Sequence, residues 1–488
     1  MEWTRDMKYR RIEDMDTVEY KKLKLNTENA PWRQQYHIQP VTGLLNDPNG
    51  FVYHNGQYHL FYQWFPLGAV HGMKYWFHLV SEDLVYFEAD ERIVEPDTTY
   101  DSHGAYSGSA LVVDDEVKLI YTGNHRTENW ERIPYQIIAA LTEDGVVKAQ
   151  PFIEGAEDGY TEHFRDPKVW KMRDKYYAVI GAQRKDLTGT IVVYSSDDFK
   201  TWTFEGELKT AYQNFGYMWE CPDYFELEGI DVVLFCPQGV SPKGNQFRNI
   251  YQSGYIIGNI NFNDFTMEHD AFTELDNGFD FYAPQTTVGK DGERILIGWM
   301  GLPDIQYPTD KDEWAHCLTL PRVLTIEEGK LMQRPIKALA NRRLDSEEKN
   351  IQVFDEQNVF TGKCYELLVN VEAISGDALL IDLRASNNEY TRLRYDAEFR
   401  AFTLDRTHSG LLPEGVDGTT RTTLLSKPLK ALQIFVDESS IEVFVNDGAH
   451  VFTSRIFPSE HAEAIRVSSL NGSAQLSMMK FNLKEGIS

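Results

Sequence analysis

NDPNGFVY (residues 46–53) is the first of five related phrases; YSGSALVV (106–113), RDPKVWKM (165–172), ECPDYFEL (220–227) and YAPQTTVG (282–289) follow it. Set beneath one another, four carry proline at matching places, Pro48, Pro167, Pro222 and Pro284, with Ser109 in the remaining one. The spacing of roughly 55 to 62 residues leaves room for about four short strands per unit. Apolar runs broken by Gly, Asn and Asp turns fill each interval, and helical periodicity is nearly absent. Sheets repeated radially make a β-propeller, whose first strands converge on an axis with the binding pocket at one end. Five units predict five blades over residues 41–340.

Downstream, NRRLDSEEKN (341–350) reads as a charged linker. Strand signals then resume without the proline-marked repeat, in CYELLVNVEA, ALLIDLRAS and LQIFVDESSIEVFVNDG, and predict a β-sandwich over residues 350–488. Residues 1–40 are weakly patterned and read as an N-terminal arm with at most a short helix. The fold class is therefore all-β: a five-bladed propeller followed by a sandwich.

Composition narrows the partners. The formal charge of −27 repels phosphate backbones and anionic lipid, which argues against nucleic acid and membrane surfaces. Aromatic residues reach 13% and supply flat faces for sugar rings. Four cysteines without a CxxC pair suggest neither a disulfide framework nor a structural metal, and fit a reducing cytoplasm. The charged start, MEWTRDMKYRRIEDMDTVEY, and the lack of a long apolar run predict a chain neither exported nor anchored.

Equivalent positions of successive blades form a ring, so the repeat predicts which distant residues meet. Asp47 and Asp166 directly precede proline in their units and Glu220 stands two before Pro222, so all three should face one pocket, with Arg165 as the compensating charge. An Asp before Pro often only shapes a turn; three acids just ahead of the repeat's prolines suggest chemistry. Paired carboxylates across a sugar pocket are what glycoside hydrolysis requires. Glu220, between Trp219 and Cys221, is expected in surroundings that disfavour ionisation; Asp47, flanked by Asn46 and Asn49, is expected to stay charged.

LLNDPNG (44–50), HLFYQ (59–63), YSGSA (106–110), FRDP (164–167), WECPD (219–223) and WAHCLTLPR (314–322) together resemble the ordered blocks of glycoside hydrolase family 32, and IFVDESSIEVFVNDG (434–448) resembles its C-terminal sandwich. The resemblance covers nearly the whole chain. It implies a retaining double displacement in which Asp47 is the nucleophile, Glu220 the general acid and base, and Asp166 a transition-state stabiliser steered by Arg165. Asn46, Gln63, Ser107 and Trp299 would line the fructose subsite. The catalytic carboxyl groups of a retaining enzyme stand about 5 to 5.5 Å apart. No metal or organic cofactor is implied.

One departure stands out: Leu67 occupies a place where many members carry an aromatic, with Trp64, Phe65 and Trp76 nearby. The segment GAVHGMKYW (68–76) is similar to the branch acting on phosphorylated sucrose, and brings the cations His71 and Lys74. Arg126, Arg184, Lys185 and Arg248 are the other candidates for a phosphate. The expectation is a cytoplasmic β-fructofuranosidase, monomer or homodimer, that hydrolyses sucrose-6-phosphate and sucrose. Its alternatives are an intracellular fructosidase for sucrose or short fructo-oligosaccharides, an inverting glycosidase of related fold, and a non-catalytic carbohydrate-binding propeller.

Overall fold

The computed structural model describes residues 3–486. Five four-stranded antiparallel units follow one another, some with a short extra strand, opening with Gly43–His54, Ala105–Val113, Tyr160–Met172, Met218–Leu227 and Tyr282–Val288. These five strands touch in a closed circle, each against the next and the fifth against the first. That circle is the axis of a five-bladed propeller. A short strand of the fifth unit, Trp314–Ala315, pairs parallel with the first strand through Gly43↔Trp314 and Leu44↔Ala315, and so seals the ring.

The axis is polar. Lys168 Nζ donates to Asp223 Oδ2 at 3.0 Å and to the Thr286 carbonyl at 2.6 Å. Gln285 accepts the Phe51 N–H at 3.0 Å and donates to the Gly108 carbonyl at 2.6 Å, while Asn49 accepts the Gly108 N–H at 2.9 Å. These residues share one repeat position with Ser109, whose hydroxyl donates to the Pro167 carbonyl at 2.8 Å. Gly108, and not Ser109, thus holds the prolines' place in the second blade: its Cβ-free backbone packs where an added Cβ would lie 2.0 Å from the Ile120 carbonyl oxygen.

The register of each first strand slips at the repeat phrase, between Leu45 and Pro48, Ala105 and Gly108, Arg165 and Lys168, Glu220 and Asp223, and Tyr282 and Gln285. Proline lacks the N–H that a ladder needs and is tolerated at such bulges. Asp166, Cys221 and Ala283 take left-handed backbone there, at φ 67°, 48° and 46°. In a regular strand consecutive side chains point to opposite faces. A bulge re-aims them, which lets neighbours such as Asn46 and Asp47 line the same cleft.

Two six-stranded sheets form the C-terminal sandwich, around a continuous core that includes Leu367, Leu383, Ile434, Val443, Phe452 and Met478. The stretch read as a linker departs from expectation: Arg343–Val353 is an edge strand of this sandwich, paired with Ala474–Leu483. Its charges face solvent, which suits an edge that must not recruit another strand. The N-terminal arm is more helical than expected, with Arg5–Lys8 and Thr17–Glu28. The latter opens on Asp16, whose carboxylate accepts from the Val18 and Glu19 N–H groups.

Propeller, arm and sandwich meet across buried charges. His37 lies between Asp437, at 2.8 Å, and Glu442, at 3.0 Å. Burial works against its protonation, yet the hydrogen bonds it donates to both carboxylates hold its pKa above the usual value. Arg322 of blade five joins Glu442 at 2.6 Å to Asp276 at 3.2 Å, and Asp280 accepts from Arg406 at 3.0 Å.

Candidate active site

A cleft of about 280 Å³ opens at one end of the propeller axis. The first residues of all five phrases, Asn46, Tyr106, Arg165, Glu220 and Tyr282, line it, as do Asp47, Ser107 and Asp166 from the second position. The three acids singled out by the repeat are therefore brought together, and Gln63, His71, Lys74 and Trp299 line the same space.

Asp47 sits in a chain of donors. Ser107 Oγ donates to its Oδ2 in a very short bond, and Asn46 Nδ2 donates to its Oδ1 at 3.0 Å. Gln63 donates to Ser107 at 2.8 Å, and its Oε1 accepts from Asn46 at 2.5 Å. Lys74 Nζ donates to Asn46 Oδ1 at 2.7 Å. Asn49 reaches only the Asp47 carbonyl, at 2.9 Å. Burial raises the Asp47 pKa against the pull of Ser107 and Asn46, and lowers the buried Lys74 ammonium to about 7.

Glu220 departs from its expected surroundings. The Trp219 indole is turned into the core, stacked on Phe235 at 4.2 Å. The Glu220 carboxylate instead accepts two bonds from Arg165, at 2.6 and 3.1 Å, and one from the Tyr282 hydroxyl at 2.6 Å. Arg165 thus engages Glu220 first and stands 4.0 Å from Asp166. Asp166 accepts the Cys221 N–H at 3.0 Å. Burial pushes its pKa up to about 7; Arg165 opposes this, while Glu220 and Asp47 reinforce it. The Cys221 sulfur lies 3.5 Å from Asp47 and 3.7 Å from Asp166, so this thiol shapes the floor between two acids rather than the surroundings of Glu220. Burial drives its pKa up, as expected of a thiol that is not a nucleophile.

The expected cations sort by geometry. His71 and Lys74 line the cleft, but the Lys74 ammonium is engaged with Asn46. Arg184 forks onto Glu207 at 2.8 and 2.6 Å, and Arg248 pairs with Asp417 at 2.5 Å beside a separate cleft of about 470 Å³ between propeller and sandwich. Neither Arg184, Lys185 nor Arg248 lines the acid-bearing cleft. Leu67 packs with Leu44, Phe65 and Ala315, and Trp64 and Trp76 are core residues. The aromatic faces of the cleft come instead from Tyr9, Tyr106, Tyr251, Tyr282 and Trp299. Tyr106 and Tyr282 stand in the same repeat column as Glu220 and were within reach of the alignment. Tyr9, Arg132, Gln238, Tyr251 and Asp304 belong to no repeat column.

Comparison with known proteins agrees with this architecture. The model for the glycosyl hydrolases family 32 N-terminal domain matches residues 37–335, and that for the family 32 C-terminal domain matches residues 332–484. The chain is 50% identical to the sucrose-6-phosphate hydrolase of Staphylococcus xylosus, covering 99% of both chains. It superposes on the sucrose-6-phosphate hydrolase of Lactobacillus gasseri with a TM-score of 0.93, at 38% identity, covering 99% of this chain and 100% of that one. A mutant of the family 32 β-fructofuranosidase of Bombyx mori in complex with sucrose gives 0.82 at 31% identity, with 97% and 99% covered. Repeat, cleft and both domain matches converge: the chain belongs to glycosyl hydrolases family 32, and it is a glycoside hydrolase.

Proposed function

We propose that this chain is a retaining β-fructofuranosidase that hydrolyses sucrose-6-phosphate, and sucrose as well, to fructose and glucose-6-phosphate or glucose. The observation that carries the reading is the meeting of Asp47 and Glu220 across one cleft with donors on each. Asp47 Oδ2 attacks the anomeric carbon of the fructosyl unit, and the bond from that carbon to the bridging oxygen breaks. Glu220, protonated at that moment, gives its proton to the leaving oxygen. A covalent fructosyl–Asp47 ester results. Glu220, now the base, takes a proton from water, whose oxygen attacks the same carbon and releases Asp47.

The surrounding groups support these roles. Ser107 and Asn46 hold the Asp47 carboxylate in one orientation, which lowers the cost of reaching an in-line attack. Arg165 and Tyr282 fix Glu220. Asp166 sits where it can accept fructose hydroxyls and answer the positive charge of an oxocarbenium-like transition state. The similarity to sucrose-6-phosphate hydrolases over nearly the whole chain supports the phosphorylated substrate. Four unpaired cysteines support a cytoplasmic setting, and no helix among the described residues is long and apolar enough to cross a membrane.

The test is kcat/KM on sucrose-6-phosphate and sucrose for the wild-type chain and Glu220→Gln, with the anomer of the first product read by NMR. Retention and a loss of about 10²- to 10⁴-fold on Glu220→Gln are expected. An inverted product or unchanged turnover overturns the assignment.

A further inference from the structure

Arg126 and Arg132 end the strands Glu116–Arg126 and Arg132–Thr142 and face each other directly across the ladder. Like charges opposite one another in a sheet are destabilising, and this chain has an excess of acids with which to neutralise them. It does not do so. Among the described residues the Arg132 guanidinium has no carboxylate partner and no hydrogen-bond acceptor, and lies 5.5 Å from the centre of the Tyr106 ring. The Arg126 guanidinium donates, among the described residues, only to the Trp130 carbonyl, at 3.1 Å. The Nε atoms of both are buried and unpartnered. Glu128 and Glu131, in the turn between them, are exposed and pair with neither. A third guanidinium, that of Arg5, stands 4.1 Å over the Trp130 ring.

Arg132 lines the same cleft as Arg165 and Glu220. The other cations there are committed: Arg165 to Glu220 and Lys74 to Asn46. Buried guanidinium donors without acceptors are costly and call for an anion. Tyr9, which also lines the cleft, packs its ring 5.2 Å from Trp130 and so closes this corner with the N-terminal arm.

We propose that Arg132, backed by Arg126, is the site that binds the phosphate monoester of the leaving hexose. This rests on the phosphorylated substrate proposed above. The planar guanidinium fork matches two phosphate oxygens, which a lysine point charge does not. The leaving hexose departs at Glu220, and its phosphate meets Arg132 on the same wall. His71, exposed on the cleft, packs its ring 6.0 Å from that of Trp299 and is not required.

The experiment measures the ratio of kcat/KM for sucrose-6-phosphate to that for sucrose in the wild type, Arg132→Gln, Arg132→Lys, Arg126→Gln and His71→Gln. It is paired with inhibition of sucrose hydrolysis by inorganic phosphate. The expected result is a ratio that falls about 30- to 100-fold in Arg132→Gln, chiefly through KM. Arg126→Gln should show a smaller fall and Arg132→Lys partial recovery, with weakened phosphate inhibition in both glutamine variants. A wild-type preference that survives in Arg132→Gln and Arg126→Gln, or that vanishes in His71→Gln instead, overturns this site and leaves the substrate reading intact. A wild type without preference for the phosphorylated sugar overturns the substrate reading, and this site with it. Should Arg132→Gln fail to fold, Arg126→Gln and phosphate inhibition of the wild type carry the same decision.

Discussion

Propeller and sandwich are built from strands of similar length, yet they bury different things. The sandwich closes its two sheets over one unbroken apolar core with Leu367, Ile434, Val443 and Phe452 at its heart. The propeller divides its apolar contacts among separate clusters between neighbouring blades and leaves ions and amides on its axis. At the cleft it adds left-handed bulges and three carboxylates in partial burial. The seam between the two regions also buries charge, but there each group is paired, as His37 is with Asp437 and Glu442, whereas the cleft gathers like-charged acids beside strained backbone.

The sharpest way to break this contrast is Asp47→Asn. Activity should fall by at least about 10⁴-fold, with thermal stability unchanged or raised, because a buried carboxylate is replaced by a neutral amide. A large drop in melting temperature would mean that the cleft stabilises the fold after all. Next in size, Phe452→Ala in the sandwich should cost about 3–5 kcal/mol in denaturant unfolding, while kcat per folded molecule stays at the wild-type value. Loss of kcat in the folded variant would join the two regions functionally.

The smallest effect concerns pH. The folded-state pKa of Asp166 is raised to about 7, so between about pH 4 and pH 7 the folded chain keeps a proton that the unfolded chain has released. Unfolding free energy from this group therefore declines as pH rises through that window. Asp166→Asn should flatten the decline and raise stability at pH 8 by an amount on the order of 1–3 kcal/mol. An unchanged pH profile of stability would remove the strain argument for this position.

The repeat made the ring legible in the sequence: it placed Asp47, Asp166 and Glu220 in one cleft without any partner being adjacent in the chain. It also held Tyr106 and Tyr282, in the column that supplies Glu220. What it could not carry was direction. Whether Arg165 turns to Asp166 or to Glu220 depends on bulge geometry, and a bulge leaves only a proline and a register slip as its trace. Tyr9 and Arg132 stayed hidden for another reason. One comes from an arm outside the repeat, the other from the start of a third strand, and only packing brings them to the cleft. The charged stretch at 341–350 misled because an edge strand and a linker both face water, and composition does not separate them.

The two-residue pairing of Gly43 and Leu44 with Trp314 and Ala315 fixes an order of events during synthesis. Asp47 emerges from the ribosome early, yet the circle that gives it neighbours cannot close until some 270 further residues have followed. The sealed cleft is thus a late product of translation, and a chain truncated before Trp314 would carry all three acids without the parallel pairing that seals the ring around them.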